Sequence, residues 1–241
     1  MTSAASATPH SPAGNPGLSL AARVWGILTS PRTTFVDVVA RPRWFGMMAL
    51  VLVVTAACTG GFLSTEVGQT AWMDQAVERA QQSGRHLSDA ELAATEKMVP
   101  YMGIITAVST LIIGPVMWLA MAGILFAVFN AALGGTSTFR QLFAVLVHSS
   151  VPTLLQQLIV TPLNYARESM SSATSLAVFL PMLEEGSFPA KLLRMADLFV
   201  IWWIALLAIG LGVLFRRRTG PIATGLFAVY GVIAVVLAAA F

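Results

Sequence analysis

The segment GGTSTFRQLFAVLVHSSVPTLLQQLIVTPL, residues 134–163, combines apolar ends with a run of polar side chains in its middle. Its flanks are apolar enough to lie in the hydrocarbon of a membrane. Polar groups at that depth must contact other helices or water, because lipid offers them no hydrogen-bond partner. The run consists of His148, Ser149, Ser150, Thr153, Gln156 and Gln157.

The composition of the whole chain agrees with a membrane setting for this segment. Apolar residues make up 56% of the chain and charged residues only 10%, with a mean hydropathy of +0.77. Soluble domains carry about 25% charged residues. Several stretches are also long enough to cross the hydrocarbon core, which takes roughly 20 helical residues. The sequence therefore predicts an all-α integral membrane protein.

The apolar stretches predict a bundle of five transmembrane helices. The second stretch is ambiguous, because residues 99–133 would extend about 50 Å as one helix and contain Gly114-Pro115. Pro115 could kink a single long span or turn a hairpin. The five predicted spans are residues 45–64, 101–133, 139–163, 196–215 and 221–240.

The distribution of charge favours one long span over a hairpin. With a single span, the segments 1–44, 134–140 and 216–220 share one side and hold eight arginines and one acid, Asp37. The other side then holds six basic and ten acidic residues. Because basic residues accumulate on the cytoplasmic side, we expect a cytoplasmic N-terminus and an external C-terminus. The triplet Arg216, Arg217 and Arg218 is then either a topology anchor or a site for anionic lipid headgroups.

The residues before the first span divide into two predicted segments. Residues 1–17 are small, polar and proline-rich, which is typical of a disordered tail. Residues 18–44 combine helical apolar spacing with arginines and tryptophans, as in an amphipathic helix lying at the cytoplasmic membrane interface. The alternative is a short cap packed on the protein. The remaining residues, 45–241, form the predicted transmembrane domain.

The polar run in the third span falls on one side of a helical wheel. At about 100° per residue, His148, Ser149, Thr153, Gln156 and Gln157 share one half, whereas valine and leucine face lipid on the other. The face either bonds across helices, with Pro152 kinking the helix and freeing a carbonyl, or lines a path for a small solute or ion. No acidic residue lies in the middle of any span, which weakens ion-coupled transport.

Small residues in the second span suggest a further packing surface. Gly123, Ala127 and Ala131 recur at every fourth position, a spacing that lets another helix backbone approach closely. We therefore expect a helix contact along this stripe.

Motifs of enzymes and of cofactor sites are missing from the sequence. There is no zinc-binding helix, phosphate loop, nucleophile elbow or dinucleotide fingerprint. Three dispersed histidines and a single Cys58 offer neither a disulfide nor a set of metal ligands. We expect no catalysis, no cofactor, no metal and no nucleic acid partner.

Loose motifs at four places resemble the Ypt-interacting-protein (Yip) domain family over about residues 20–241. They are Trp25 with Ser30-Pro31-x-x-x-Phe35; Arg41-Pro42-x-Trp44; Gly-Gly-Thr-Ser-Thr-Phe-Arg at 134–140 with Pro152 downstream; and Asp197-Leu-Phe-x-x-Trp202. The resemblance, to a bacterial member, implies a five-helix bundle with a cytoplasmic N-terminus. Eukaryotic relatives are associated with Rab-type GTPases, but this sequence lacks the Asp-Leu-Tyr-Gly-Pro type of stretch found in some of them.

These observations predict a non-enzymatic, multi-pass protein of the bacterial inner membrane that organises membrane or scaffolds partners. The alternative function is a transporter or channel for a small solute or ion that uses the polar face of the third helix. The expected partners are the lipid bilayer, anionic lipids, and other membrane proteins or further copies of the same chain.

Overall fold

The computed structural model describes residues 17–82, 84–170, 173–180, 182–183 and 187–240, which form eleven α-helices and no β-strand. Residues 1–16 of the predicted tail lie outside the described residues. The all-helical prediction is confirmed. The helices are α1 (Leu20–Thr29), α2 (Pro31–Ala40), α3 (Phe45–Leu63), α4 (Glu66–Gln82), α5 (Asp89–Met98), α6 (Met102–Phe126), α7 (Phe139–Ser149), α8 (Val151–Arg167), α9 (Phe188–Met195), α10 (Leu198–Leu214) and α11 (Thr219–Ala240).

Several helices begin at residues whose side chains accept hydrogen bonds from the first turn. Thr138 and Gln141 form a reciprocal capping box at the start of α7, and Ser88 and Glu91 form another at the start of α5. These side chains satisfy backbone N–H groups that have no partner within the helix. The capping box at Thr138 fixes the residue at which α7 begins, and this sets the position of the polar run along the helix.

Four helical stretches among the described residues are long and apolar enough to cross a membrane. The apolar helix α10 has 17 residues, or about 25 Å at 1.5 Å per residue, and is shorter than these four. A fifth span at α10 therefore stays a prediction. The four stretches are Phe45–Leu63, Asp89–Ala131, Phe139–Arg167 and Thr219–Ala239.

The second span is one continuous helix rather than a hairpin. Helix α6 runs through Pro115, preceded by a 3-10 turn at Val99–Tyr101 and followed by a π-helical segment at Ala127–Ala132. The single-span interpretation drawn from the charges is therefore the one that the fold adopts.

The third span is interrupted in the middle of its polar run. Helix α7 ends at Ser149 and α8 begins at Val151, so that Pro152 lies in the first turn of α8, where a missing N–H breaks no hydrogen bond. Every residue from 142 to 152 is buried, so this part of the span has no side that faces lipid. The prediction that the valine and leucine half of the wheel faces lipid is therefore wrong at Val151 and Leu154, which are both buried.

Helices α1 and α2 form a hairpin that packs into the bundle. Ile27, Phe35 and Val38 are fully buried in the same core cluster as residues of α7 and α10. This buried side of the hairpin packs on the protein, as in the alternative prediction of a short cap. Its outer side exposes Trp25 and Val36; contact of this side with a membrane interface stays a prediction.

The close contact between two helices does not involve the small residues of the second span that the sequence singled out. Gly123 has no atom within 4 Å of the position of a Cβ, and Ala127 and Ala131 are exposed, so the expected contact along this stripe is wrong within the described chain. Instead, α3 and α6 approach at Gly60 and Gly103. A Cβ added to Gly60 would lie 2.9 Å from the carbonyl oxygen of Gly103.

Candidate functional site

Helix α7 passes through the centre of the bundle. Every residue from 142 to 150 is buried, including His148 and Ser149, which are fully shielded, and Ser150. Burying polar groups without hydrogen bonds is costly, so each of these side chains needs a partner inside the protein. The arrangement of those partners defines the site.

Arg23 of α1 brings a positive charge into this buried region. The residue is 2% exposed. Its Nη2 lies 2.7 Å from Oδ2 of Asp37 on α2, and its Nε donates to the same oxygen at 3.0 Å. Nη2 also donates to the carbonyl of Arg41 at 3.0 Å, and Nη1 to that of Arg43 at 3.4 Å. The guanidinium thus ties α1 to α2 and to the segment that leads into α3.

His148 connects this ion pair to the third span. Its Nε2 lies 3.5 Å from Nη1 of Arg23, and its Nδ1 lies 2.8 Å from the carbonyl oxygen of Ala144. The carbonyl can only accept and the guanidinium can only donate. Both contacts are therefore satisfied by the neutral tautomer with its proton on Nδ1. This tautomer is assigned from the hydrogen-bond partners.

A second polar cluster surrounds Asp197 at the start of α10. Oδ1 of Asp197 accepts from the backbone N–H of Phe199 at 2.8 Å and from Nε2 of Gln156 at 3.4 Å. Oδ2 accepts from the hydroxyl of Thr174 at 2.5 Å. The carboxylate therefore caps α10 and joins it to α8 and to the loop after α8.

Three further polar residues of the run, Gln157, Ser149 and Ser150, also have partners within the bundle. The hydroxyl of Thr59 on α3 donates to Oε1 of Gln157 at 3.2 Å. The hydroxyls of Ser149 and Ser150 donate to carbonyls one turn earlier in α7, at 2.8 and 3.4 Å. Three residues of the predicted polar face, His148, Gln156 and Gln157, thus bond to three different helices.

A cavity of about 270 Å³ lies beside this face, between α3, α6, α8 and α10. Ser150, Thr153 and Gln156 line it from the third span. The hydroxyl oxygen of Thr55, another lining residue, is buried and has no hydrogen-bond partner. The cavity is therefore the part of the polar face that could receive a small polar molecule.

The other residues singled out in the sequence lie apart from this network. Arg216, Arg217 and Arg218 are exposed in the turn between α10 and α11. Pro115 lies in α6 and lines a separate, mostly apolar cavity of about 190 Å³ with Arg140 and Phe143.

Arg23 and Asp37 are the charged residues of the site that sequence reasoning missed, and Thr55, Thr59 and Thr174 were missed as well. In the sequence Arg23 counts as one of several cytoplasmic charges, yet in the fold it is paired with Asp37, a half-buried carboxylate. A signal was present in the sequence: Asp37 is the first acidic residue of the chain and the next is Glu66. A lone acid among arginines in an amphipathic hairpin is a candidate for an internal ion pair.

The site offers little for metal binding or for catalysis by paired acids. Among the described residues, no group of three or more histidine, cysteine, aspartate or glutamate side chains could hold a metal ion. The two polar clusters contain one buried cation, two carboxylates and one imidazole, and their contacts link helices to one another. What the arrangement can do chemically is hold the hairpin and the third span in a fixed relation.

Comparison with known proteins gives one result. The family model described as Yip1 domain matches residues 25–241, which is nearly the whole chain. No curated protein and no solved structure gives a significant match.

Proposed function

The chain belongs to the Yip1 domain family, and from this premise we propose that it is a non-enzymatic, multi-pass membrane scaffold. In this role the protein organises the surrounding membrane or holds partner proteins through its bundle and its N-terminal hairpin. The proposal rests chiefly on the bonding of the polar face of the third span. His148, Gln156 and Gln157 contact α1, α10 and α3 respectively, as expected of groups that fix helix positions.

Buried polar contacts of this kind favour one rigid arrangement of helices. A hydrogen bond between membrane helices contributes about 0.6 to 1.7 kcal/mol. Three such contacts from the third span, one on α7 and two on α8, act together with the Arg23–Asp37 pair to join the N-terminal hairpin and three membrane helices into a single unit. A fixed unit with an exposed hairpin surface suits binding to a partner or to lipid.

A second candidate function is transport or binding of a small solute in the 270 Å³ cavity beside Thr153. The unpartnered hydroxyl of Thr55 supports it. The polar side chains that line this cavity are neutral, namely those of Thr55, Ser150, Thr153 and Gln156. This lining favours a small neutral molecule over an ion, because an ion in the membrane interior needs charged or multiple carbonyl ligands.

Leucine substitutions in the polar face distinguish the two functions. We expect His148→Leu, Gln156→Leu and Gln157→Leu each to lower the stability of the purified protein by about 1 kcal/mol. The loss in His148→Leu should be larger, because the buried Arg23 then loses one of its acceptors. Thermal unfolding in detergent measures stability, and uptake of small neutral solutes into proteoliposomes measures transport. Leu158→Ala, at an exposed position of α8, is the matched control and should change neither.

Two outcomes would favour the second candidate. One is solute uptake by the wild-type protein that the leucine variants lose while their stability is unchanged. The other is uptake that Thr153→Leu alone abolishes, since this residue lines the cavity. Loss of stability with no uptake in any variant supports the scaffold.

We also propose five spans, with α10 as the fourth, a cytoplasmic N-terminus and an external C-terminus in a bacterial inner membrane. The 17 residues of α10 are at the short end of the range for a spanning helix. In a variant with Cys58→Ala, a cysteine at Arg43 or Arg217 should react with a membrane-impermeant thiol reagent only after the cytoplasmic side is opened. A cysteine at Asp89 should react in intact cells. Labelling of position 217 from outside contradicts the five-span topology.

A further inference from the structure

A basic groove opens where the N-terminal hairpin meets the turn between α10 and α11. It has a volume of about 930 Å³. Arg32 of α2 lies on one side, and the triplet Arg216–Arg218 lies on the other. No carboxylate occurs among the described residues that line it. Four arginines without a lining acid leave a concentrated positive charge, which attracts anions strongly where water is partly excluded.

Apolar side chains also line the groove. Val36 and Val39 of α2 and Val213 of α10 lie among its lining residues. A free phosphate ion has no apolar surface to bury against these side chains, whereas a phospholipid carries both a phosphate and apolar acyl chains. The groove also lies at the end of an apolar helix, where the headgroups of a bilayer would be. Its chemistry therefore matches that of an amphiphilic anion.

Helix α11 adds a second favourable feature for an anion. It begins at Thr219, another lining residue, and its 22 residues extend away from the groove. The positive end of the helix dipole and the unpaired N–H groups of its first turn thus lie next to the arginines. This arrangement is a common setting for phosphate binding.

The backbone at Arg216 has a conformation that suits glycine better than arginine. Its φ is 52°, in the left-handed region, and it follows the end of α10. The N–H of Arg217 bonds to the carbonyl of Gly212, and that of Arg216 to the carbonyl of Val213. This is the helix ending in which glycine is usual, because a Cβ is unfavourable there. An arginine at this position therefore carries a backbone cost that glycine would avoid.

From these observations we propose that the groove binds the phosphate headgroup of an anionic phospholipid, with Arg32 and Arg216 on opposite sides of the phosphate. The bound lipid bridges α2 and the α10–α11 turn, so that it couples the position of the N-terminal hairpin to the composition of the adjacent leaflet. Arg217 also donates to the carbonyl of Leu133 at 3.0 Å, which extends the contact to the loop before α7.

The test uses the purified full-length chain in a neutral detergent. Phosphatidylglycerol is titrated in, and phosphatidylcholine with the same acyl chains and inorganic phosphate are titrated separately. We expect the midpoint of thermal unfolding to rise with phosphatidylglycerol alone, because a ligand that binds the folded state stabilises it. Added salt should weaken the effect. Native mass spectrometry counts the bound lipids independently.

Three variants locate the site. Arg32→Gln and Arg216→Gly should each weaken the apparent affinity for phosphatidylglycerol by about fivefold. Arg216→Gly should leave the unfolding midpoint without lipid unchanged or higher, since glycine suits its backbone. Arg43→Gln removes the same charge at an exposed position outside the groove and should retain wild-type affinity.

Several results would overturn the lipid site. Equal stabilisation by phosphatidylcholine would show that headgroup charge is irrelevant, and equal stabilisation by inorganic phosphate would assign the groove to a free anion. An equal loss in Arg43→Gln would show that only the overall charge matters. Full affinity in both Arg32→Gln and Arg216→Gly would exclude the groove.

Discussion

Replacement of Arg23 by methionine is expected to lower the free energy of unfolding by about 3 kcal/mol, the lower end for removing one member of a buried ion pair, because Asp37 is 17% exposed and keeps Arg41 at 3.5 Å. The variant leaves the Asp37 carboxylate without its main partner, and two backbone carbonyls lose a donor. It also leaves Nε2 of His148 facing an apolar side chain. Denaturation of the purified protein in mixed micelles, followed by circular dichroism, measures the loss.

Two comparisons separate the ion pair from a general effect of losing an arginine. The double variant Arg23→Met/Asp37→Leu should recover most of the stability, since apolar residues often replace a buried pair without loss. Arg85 forms an exposed pair with Glu91 at 2.9 Å, and Arg85→Met should change stability little. If the double variant is as unstable as the sum of the single variants, the two residues are not coupled in the way the structure indicates.

Replacement of Gly60 by valine is expected to destabilise the bundle by about 3 kcal/mol, the upper end for overpacking a close contact. The added Cβ would meet the backbone oxygen of Gly103 and the Cβ of Ala107, both at 2.9 Å, so α3 and α6 must move apart. Gly103→Val should act alike, since its Cβ would lie 2.7 Å from the carbonyl oxygen of Gly60. Thermal unfolding in detergent measures both variants.

The neighbouring glycine supplies the matched control. Gly61 lies one residue further along α3 and has no atom within 4 Å of the position of a Cβ. Gly61→Val has the same effect on helix propensity and should leave the unfolding midpoint nearly unchanged. Equal losses at positions 60 and 61 would mean that helix propensity, and not the contact with α6, determines the result.

The general architecture was predictable because it follows from length and composition. Apolar stretches of about 20 residues identify membrane helices directly, and the excess of arginines on one side favoured a continuous second span. The capping box of Ser88 and Glu91 likewise depends on a spacing of three residues. These features depend on residues that are close together in the sequence.

The site was less predictable because it depends on contacts between distant residues. Arg23 and His148 are 125 positions apart, and nothing local indicates that α1 enters the bundle beside α7. The break at Ser150 was also hidden, since one proline is compatible with a kink or with a new helix. The packing of glycines also depends on distant residues. Gly123 belongs to the regular stripe of small residues, whereas Gly60 and Gly103 form the close contact between α3 and α6.

The central claim is that the polar face of the third span is enclosed by protein and free of water at His148 and Ser149. It is tested most directly by thiol labelling of Ser149→Cys in a Cys58→Ala background, because Ser149 is fully buried and cysteine is close to it in size. The account predicts no reaction with a charged, water-soluble maleimide in the native protein from either side of the membrane, and complete reaction after denaturation. Rapid labelling of the native protein would show water at this position and would contradict the account.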